Sequence, residues 1–203
     1  MAESTTNTMC ESDQLIATIR AKRNLSDIMH VHCNALDLNM LDETRTMVNS
    51  NKAPALVLRI LNLLAFILAS MKDNHDDDDT KKGKHTSSSS PTLKYKTKQD
   101  REAFAKTSRF NAKGMFAAGF VPFMKTLNHV TEKIGKMNDD DDGSGGGLSR
   151  FVYEEIIDEW KDLVGQHGRD EIRAQGVMMA ACMNAWIEKA IEHYEVANGL
   201  MKV

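Results

Sequence analysis

The chain reads as all-α, a compact multi-helix bundle of about seven or eight helices around a central apolar helix. Three observations support this. One run of helix length, Ala53–Ser70 (APALVLRILNLLAFILAS), is apolar almost throughout. Two later segments repeat apolar residues at helical spacing, Val152, Ile156, Trp160 and Leu163 in the first and Ile172, Met179, Cys182, Met183, Trp186, Ala190 and Tyr194 in the second. Only 3 prolines occur in 203 residues, so few positions forbid a helix.

The apolar run sets the core. Its interruptions, Arg59, Asn62 and Ser70, fall on one stripe with Ala55 and Phe66 and leave about three-quarters of the circumference apolar. A membrane span needs about 20 apolar residues, and a charge near the bilayer centre costs roughly 3 kcal/mol or more. Asn62 would sit near the middle of such a span. The run therefore reads as the buried helix of a globular domain.

The other elements follow in order. Residues 1–11 form a polar tail. Residues 12–137 form an N-terminal helical subdomain. Ser12 or Asp13 caps a helix through Arg23 with Leu15, Ile16 and Ile19 inward. Asn24–Ser26 reads as a turn, and Ser26 caps the next helix through about Leu36. Asp37 caps a third, Leu38 to Val48, with Leu38, Leu41 and Val48 as its apolar contacts. Pro54 opens the central helix, where its missing N–H costs nothing. Residues 72–98 read as a basic insertion loop; it opens with Asp73 and Asp76–Asp79 and holds the low-complexity stretch KKGKHTSSSSP. Lys94, Lys96 and Lys98 then alternate with Tyr95 and Thr97 in a brief strand-like pattern. Gln99–Arg109 is helical. Gly114 to Met137 is a second apolar segment, with a kink or break expected at Pro122. Residues 138–147 (NDDDDGSGGG) are a linker. Residues 148–203 form a C-terminal helical pair: Leu148–Val164, a break at Gly165–Gly168, and a long helix Arg169–Ala197 with Asp170, Glu188, Glu192 and Glu195 opposite its buried stripe.

Composition narrows the function. Three widely spaced cysteines, Cys10, Cys33 and Cys182, make no disulfide framework and suit a reducing compartment. The N-terminus is polar and lacks the apolar stretch of a signal peptide, and Ala2 stands where myristoylation needs glycine. A formal net charge of −3 argues against general nucleic-acid binding, but the average conceals segregation. Between Thr80 and Lys113 stand ten basic residues, Lys81, Lys82, Lys84, Lys94, Lys96, Lys98, Arg101, Lys106, Arg109 and Lys113, against Asp100 and Glu102, a local balance of +8. Such a tract suits an anionic membrane or RNA; the alternative is a solvated loop balanced by the neighbouring Asp runs.

No catalytic signature stands out, and the chain reads as a non-enzyme without cofactor or metal. His30, His32 and Cys33 are poorly spaced as ligands, since only His30 and Cys33 share a side of a helix. The Asp runs lack the calcium-loop pattern. Gly143–Gly147 lacks the Lys-Ser/Thr that completes a phosphate loop. His167 and Cys182 would pair as base and nucleophile only if the fold brought them together.

Two segments resemble the matrix protein of the orthomyxoviruses. In the first, Ala35 to Leu68, LDLNMLDETRTMV is followed by a loop and KAPALVLRILNLLAFIL. This is similar to the family's acidic-start helix and its most apolar, buried helix. In the second, HGRDEIRAQGVMMAACMNAWIEKA over His167 to Ala190, an HG-xx-EI helix opening precedes a small-residue and Cys-Met stretch. The length is closer to an isavirus-like member than to an influenza-like one. The resemblance implies a viral structural protein that self-assembles under a lipid envelope and binds anionic membrane and ribonucleoprotein. It would be located in the virion interior and in the host cytoplasm or nucleus. It departs in two respects. The family's later Cys/His cluster and most of its C-terminal domain have no counterpart in this sequence. The family carries a basic run in the helix before HG-xx-EI, whereas this chain has Glu154, Glu155, Asp158 and Glu159. The basic role then falls to Lys81–Lys113. Two other readings fit the residues: a helical nucleocapsid or RNA-binding protein, and a Bcl-2-like helical regulator suggested by Gly168–Arg169.

Overall fold

The computed structural model describes residues 11–71, 112–136, 148–174 and 176–201. Over these the chain is all-helical, with seven helices: α1 Glu11–Asn34, α2 Leu38–Asn49, α3 Ala55–Met71, α4 Ala112–Phe116, α5 Phe120–Gly135, α6 Arg150–Ala174 and α7 Met178–Ala197. The helix expected over Gln99–Arg109, the strand-like pattern at Lys94–Lys98 and the linker at 138–147 lie outside the described residues.

The apolar run is the core helix. Leu56, Val57, Ile60, Leu61, Leu63, Leu64, Ala65, Ile67, Leu68 and Met71 of α3 are buried, and α4, α5, α6 and α7 pack around it. Pro54 stands just ahead of the helix, and its carbonyl accepts from Leu58 N at 3.0 Å. Among the described residues no helix is long and apolar enough to cross a membrane.

The core has a second axis. α7 buries Met179, Met183, Trp186, Ile187, Ala190, Ile191 and Tyr194, and its contact with α1 is the most extensive between any two helices. The two run antiparallel: Trp186 lies at the level of Cys33, and the charge of Lys22 acts on His193. The stripe expected from sequence holds, except that Cys182 is only half-buried. Glu188, expected on the opposite face, is itself buried.

Several helix boundaries differ from expectation. Residues Asn24–Ser26 do not turn; α1 runs through them unbroken. Asn24 is exposed, where its polar side chain suits a helix surface, while Met29 and Cys33 one turn apart anchor the same helix in the core. Packing of that stripe outweighs the local turn preference. Leu15 and Ile16 are exposed rather than inward, and so is Leu38. Asp37 caps α2 as expected, its Oδ1 accepting from Met40 N at 2.8 Å, with Leu41 and Val48 buried.

The break expected at Pro122 falls three residues earlier, at Gly119. Its φ of 86° suits only glycine comfortably, and Pro122 occupies the first turn of α5, where no N–H is required. In α6 the helix passes through Gly165 and breaks only at Gly168, with φ 63° and ψ 161°. The helix expected to run unbroken from Arg169 to Ala197 is interrupted at Gly176, φ 71°, before α7 begins at Met178. Gly168 and Gly176 take backbone conformations that side chains disfavour; the first kinks α6 and the second follows its end.

Candidate functional site

The basic tract is joined to the bundle through α3. The chain leaves at Met71, the last residue of α3, whose carbonyl accepts from Lys133 Nζ at 3.3 Å. It returns at Ala112, whose backbone N–H donates to Asn62 Oδ1 at 3.0 Å. The two described residues that flank 72–111 thus lie at α3, Met71 as its last residue and Ala112 bonded to its Asn62. The polar positions that interrupt the apolar run include the clasp for the returning chain: Asn62 takes the otherwise unpaired N–H at the start of α4.

Of the ten basic residues, Lys81, Lys82, Lys84, Lys94, Lys96, Lys98, Arg101, Lys106 and Arg109 lie outside the described residues. Lys113 is described. It is exposed on α4 and donates through Nζ to Asn51 Oδ1 at 3.0 Å. Asn51 holds the corner between α2 and α3 with φ 56°, a conformation that asparagine tolerates better than most residues. That bond sets the end of the basic tract against the α2–α3 corner, beside the exposed Lys52.

Arg59, the remaining cation of the apolar run, is half-buried and bridges α3 to α6. Its Nε donates to Glu159 Oε1 at 2.8 Å, Nη2 to Asp162 Oδ2 at 2.8 Å and Nη1 to Gln166 Oε1 at 3.2 Å. Gln166 Nε2 in turn donates to Asp162 Oδ1 at 2.8 Å. A planar guanidinium suits two carboxylates placed one turn apart. Part of the acidic run in α6 therefore has a structural partner. Glu154 pairs with Arg150 in the same helix at 2.7 Å, and both are well exposed.

The other candidate residues are placed as follows. Cys33 is buried, with Sγ 3.4 Å from Thr131 Oγ1, and burial pushes its thiol above the usual range. His32 is held below its usual range by burial first and by Lys189 second, with Glu188 opposing. Among the described residues no group of three or more His, Cys, Asp or Glu is placed to hold a metal. His167 Nδ1 lies 3.3 Å from Glu171 Oε1, across the break at Gly168. Burial raises the Cys182 thiol, opposite to what a nucleophile needs. Tyr153 stacks on Tyr194 with ring centroids 4.1 Å apart and donates to Glu195 Oε1 at 2.9 Å, fastening the start of α6 to α7.

Sequence reasoning missed the clasp residues. Asn51 and Asn62 bear no motif; the only signal was an amide interrupting an otherwise apolar helix. No known protein family, curated protein or solved structure matches the chain.

Proposed function

We propose that the protein is a non-enzymatic matrix protein. It would assemble with copies of itself beneath a lipid envelope, using Lys81–Lys113 to bind anionic membrane and ribonucleoprotein. The observation that carries this reading is charge segregation. A tract with a balance of +8 is inserted into a chain of net charge −3, and the described residues that flank 72–111, Met71 and Ala112, are bonded to Lys133 and Asn62. Each Lys or Arg at an anionic membrane surface adds about 1 kcal/mol, so a few acting together give useful affinity. The resemblance of Ala35–Leu68 and His167–Ala190 to orthomyxovirus matrix proteins points the same way.

Self-association has its own support in the acidic runs at Asp76–Asp79 and Asp139–Asp142, which complement the basic tract of a neighbouring copy. A head-to-tail contact of that kind need not close and so builds sheets or filaments. Vesicle flotation tests the reading. Binding should rise with phosphatidylserine content and fall when Lys81, Lys82, Lys84, Lys94, Lys96 and Lys98 are changed to glutamine. Binding that ignored both changes would overturn it. RNA affinity should fall steeply with salt; if RNA is bound and anionic vesicles are not, the nucleocapsid reading replaces this one.

A further inference from the structure

We propose that Ala117–Pro122, the turn between α4 and α5 together with the first residues of α5, seats the protein in an anionic phospholipid surface. Val121 enters the headgroup–acyl boundary, and Lys52, Lys113 and Lys125 meet the headgroups. The inference rests on the membrane-binding reading above but on different residues.

The turn is AAGFVP, six residues without a charged or hydrogen-bonding side chain. Ala117, Ala118, Val121 and Pro122 are exposed, and Val121, at 73%, is the most exposed large apolar side chain among the described residues. This projection has a firm base. Phe116 and Phe123, both buried, pack on each other directly beneath the turn, with ring centroids 5.8 Å apart and planes at 57°. Gly119 reverses the chain between them, its N–H donating to Phe116 O at 3.1 Å and its carbonyl accepting from Phe123 N at 3.2 Å. A rigid base lowers the ordering cost of insertion, because the apolar tip is already positioned.

The charged residues that flank the tip along the chain are lysines. Lys113 precedes the turn and Lys125 follows it, both exposed, and the Lys113–Asn51 bond brings the corner bearing the exposed Lys52 up to Lys113. Residues 103–131 contain no Asp or Glu, and neither do residues 44–72. Two carboxylates that α6 brings to this part of α3, Glu159 and Asp162, are bound by Arg59. An apolar projection flanked by lysines matches a surface with anionic headgroups over an apolar interior. It fits a protein partner less well, since a convex tip of this size offers little area to bury.

The test uses the full chain with vesicles of phosphatidylserine and phosphatidylcholine in a roughly 3:7 ratio, the latter brominated on its acyl chains. Trp160 and Trp186 are buried, so a tryptophan placed by Val121→Trp reports on the tip. Its emission should shift to the blue and be quenched by the brominated chains, beyond any change in the unsubstituted protein. Val121→Asp should weaken flotation about fivefold while leaving the thermal melt unchanged. If Val121→Trp protein floats without added quenching and Val121→Asp floats like the unsubstituted protein, the turn has no such role and the basic tract alone binds lipid. A blue shift without vesicles that grows with protein concentration would assign the tip to a second copy and overturn the proposal. Loss of flotation in the unsubstituted protein would remove both readings.

Discussion

The indole nitrogen of Trp186 donates to Thr131 Oγ1 at 2.9 Å in the interior of the bundle, where both residues are fully buried. The threonine hydroxyl donates in turn to Leu127 O at 2.8 Å, so its oxygen is left to accept. Cys33 Sγ, 3.4 Å away, then supplies the thiol proton. One hydroxyl thereby joins α1, α5 and α7, and every polar atom in the group is satisfied without water.

Thr131→Val keeps the shape and removes the hydroxyl. It leaves the buried Trp186 N–H with only the weakly accepting Cys33 sulfur, a loss of about 1–3 kcal/mol. Urea unfolding followed by Trp fluorescence measures it. Trp186→Phe made in the Thr131→Val background should cost less than the same change in the native chain, because the bond it would break is already gone. Equal costs in both backgrounds would show that the bond contributes nothing.

Arg59 predicts a different dependence. Its guanidinium serves Glu159 and Asp162 together while retaining 24% exposure, so the tie between α3 and α6 is partly screened by solvent. Arg59→Met should destabilise by about 1–3 kcal/mol at low salt, with less loss at high salt. Arg59→Lys should recover only part of this, since a single ammonium cannot reproduce the fork. Chemical denaturation by urea at two salt concentrations checks both statements; a lysine variant equal to the native protein would reduce the tie to simple charge.

His193 gives the pH dependence. It is buried on α7, and neither ring nitrogen has a hydrogen-bond partner. Burial first, and Lys22 of α1 second, push its pKa down to about 4 from an ordinary 6.5. The folded protein thus resists protonation that the unfolded chain accepts. Its neutral form contributes no pH-dependent loss above about pH 6.5; stability falls as pH drops from there toward 4 and levels off below, by about 3 kcal/mol in all. His32, also lowered, adds in the same direction. His193→Leu should flatten that part of the profile, read as the difference between variant and native urea midpoints from pH 7 to 4. A constant difference would mean that His193 does not titrate in this window.

The particular residues show what was legible in the sequence. The α3 stripe of Arg59, Asn62 and Phe66 was readable because one helix dictates it: 3.6-residue periodicity is local information. The all-α class followed from the same periodicity, and Asp37 as a cap followed from side-chain chemistry within three residues. What Arg59 and Asn62 bind was not readable, because Glu159 and Ala112 are far away along the chain. The continuous α1 was missed for a related reason. Asn24 and Ser26 favour a turn locally, and only the burial of Met29 and Cys33 against α7 keeps them helical. Glu188 was placed outward by its charge, yet its position on α7 faces inward. The basic tract was the clearest functional signal in the sequence, and Lys113 is its one described member.

Gly135 was unremarked in the sequence and carries the last prediction. It ends α5 where that helix crosses α1, and a Cβ there would collide with Ser26 Oγ and meet Ser26 Cβ at 3.1 Å. In an isolated helix Gly→Ala is worth up to about 1 kcal/mol of stability. Here the added methyl must push α1 away or turn the serine aside, and overpacking of this kind costs about 1–3 kcal/mol. Gly135→Ala should therefore be net destabilising, by roughly 1 kcal/mol in urea unfolding once the helix gain is subtracted. Ser26→Gly in the same chain removes both contacted atoms and should restore the loss beyond what the two single changes add up to. A stabilising Gly135→Ala would mean that the Ser26 hydroxyl rotates away freely and that the close approach of α1 and α5 does not depend on the missing side chain.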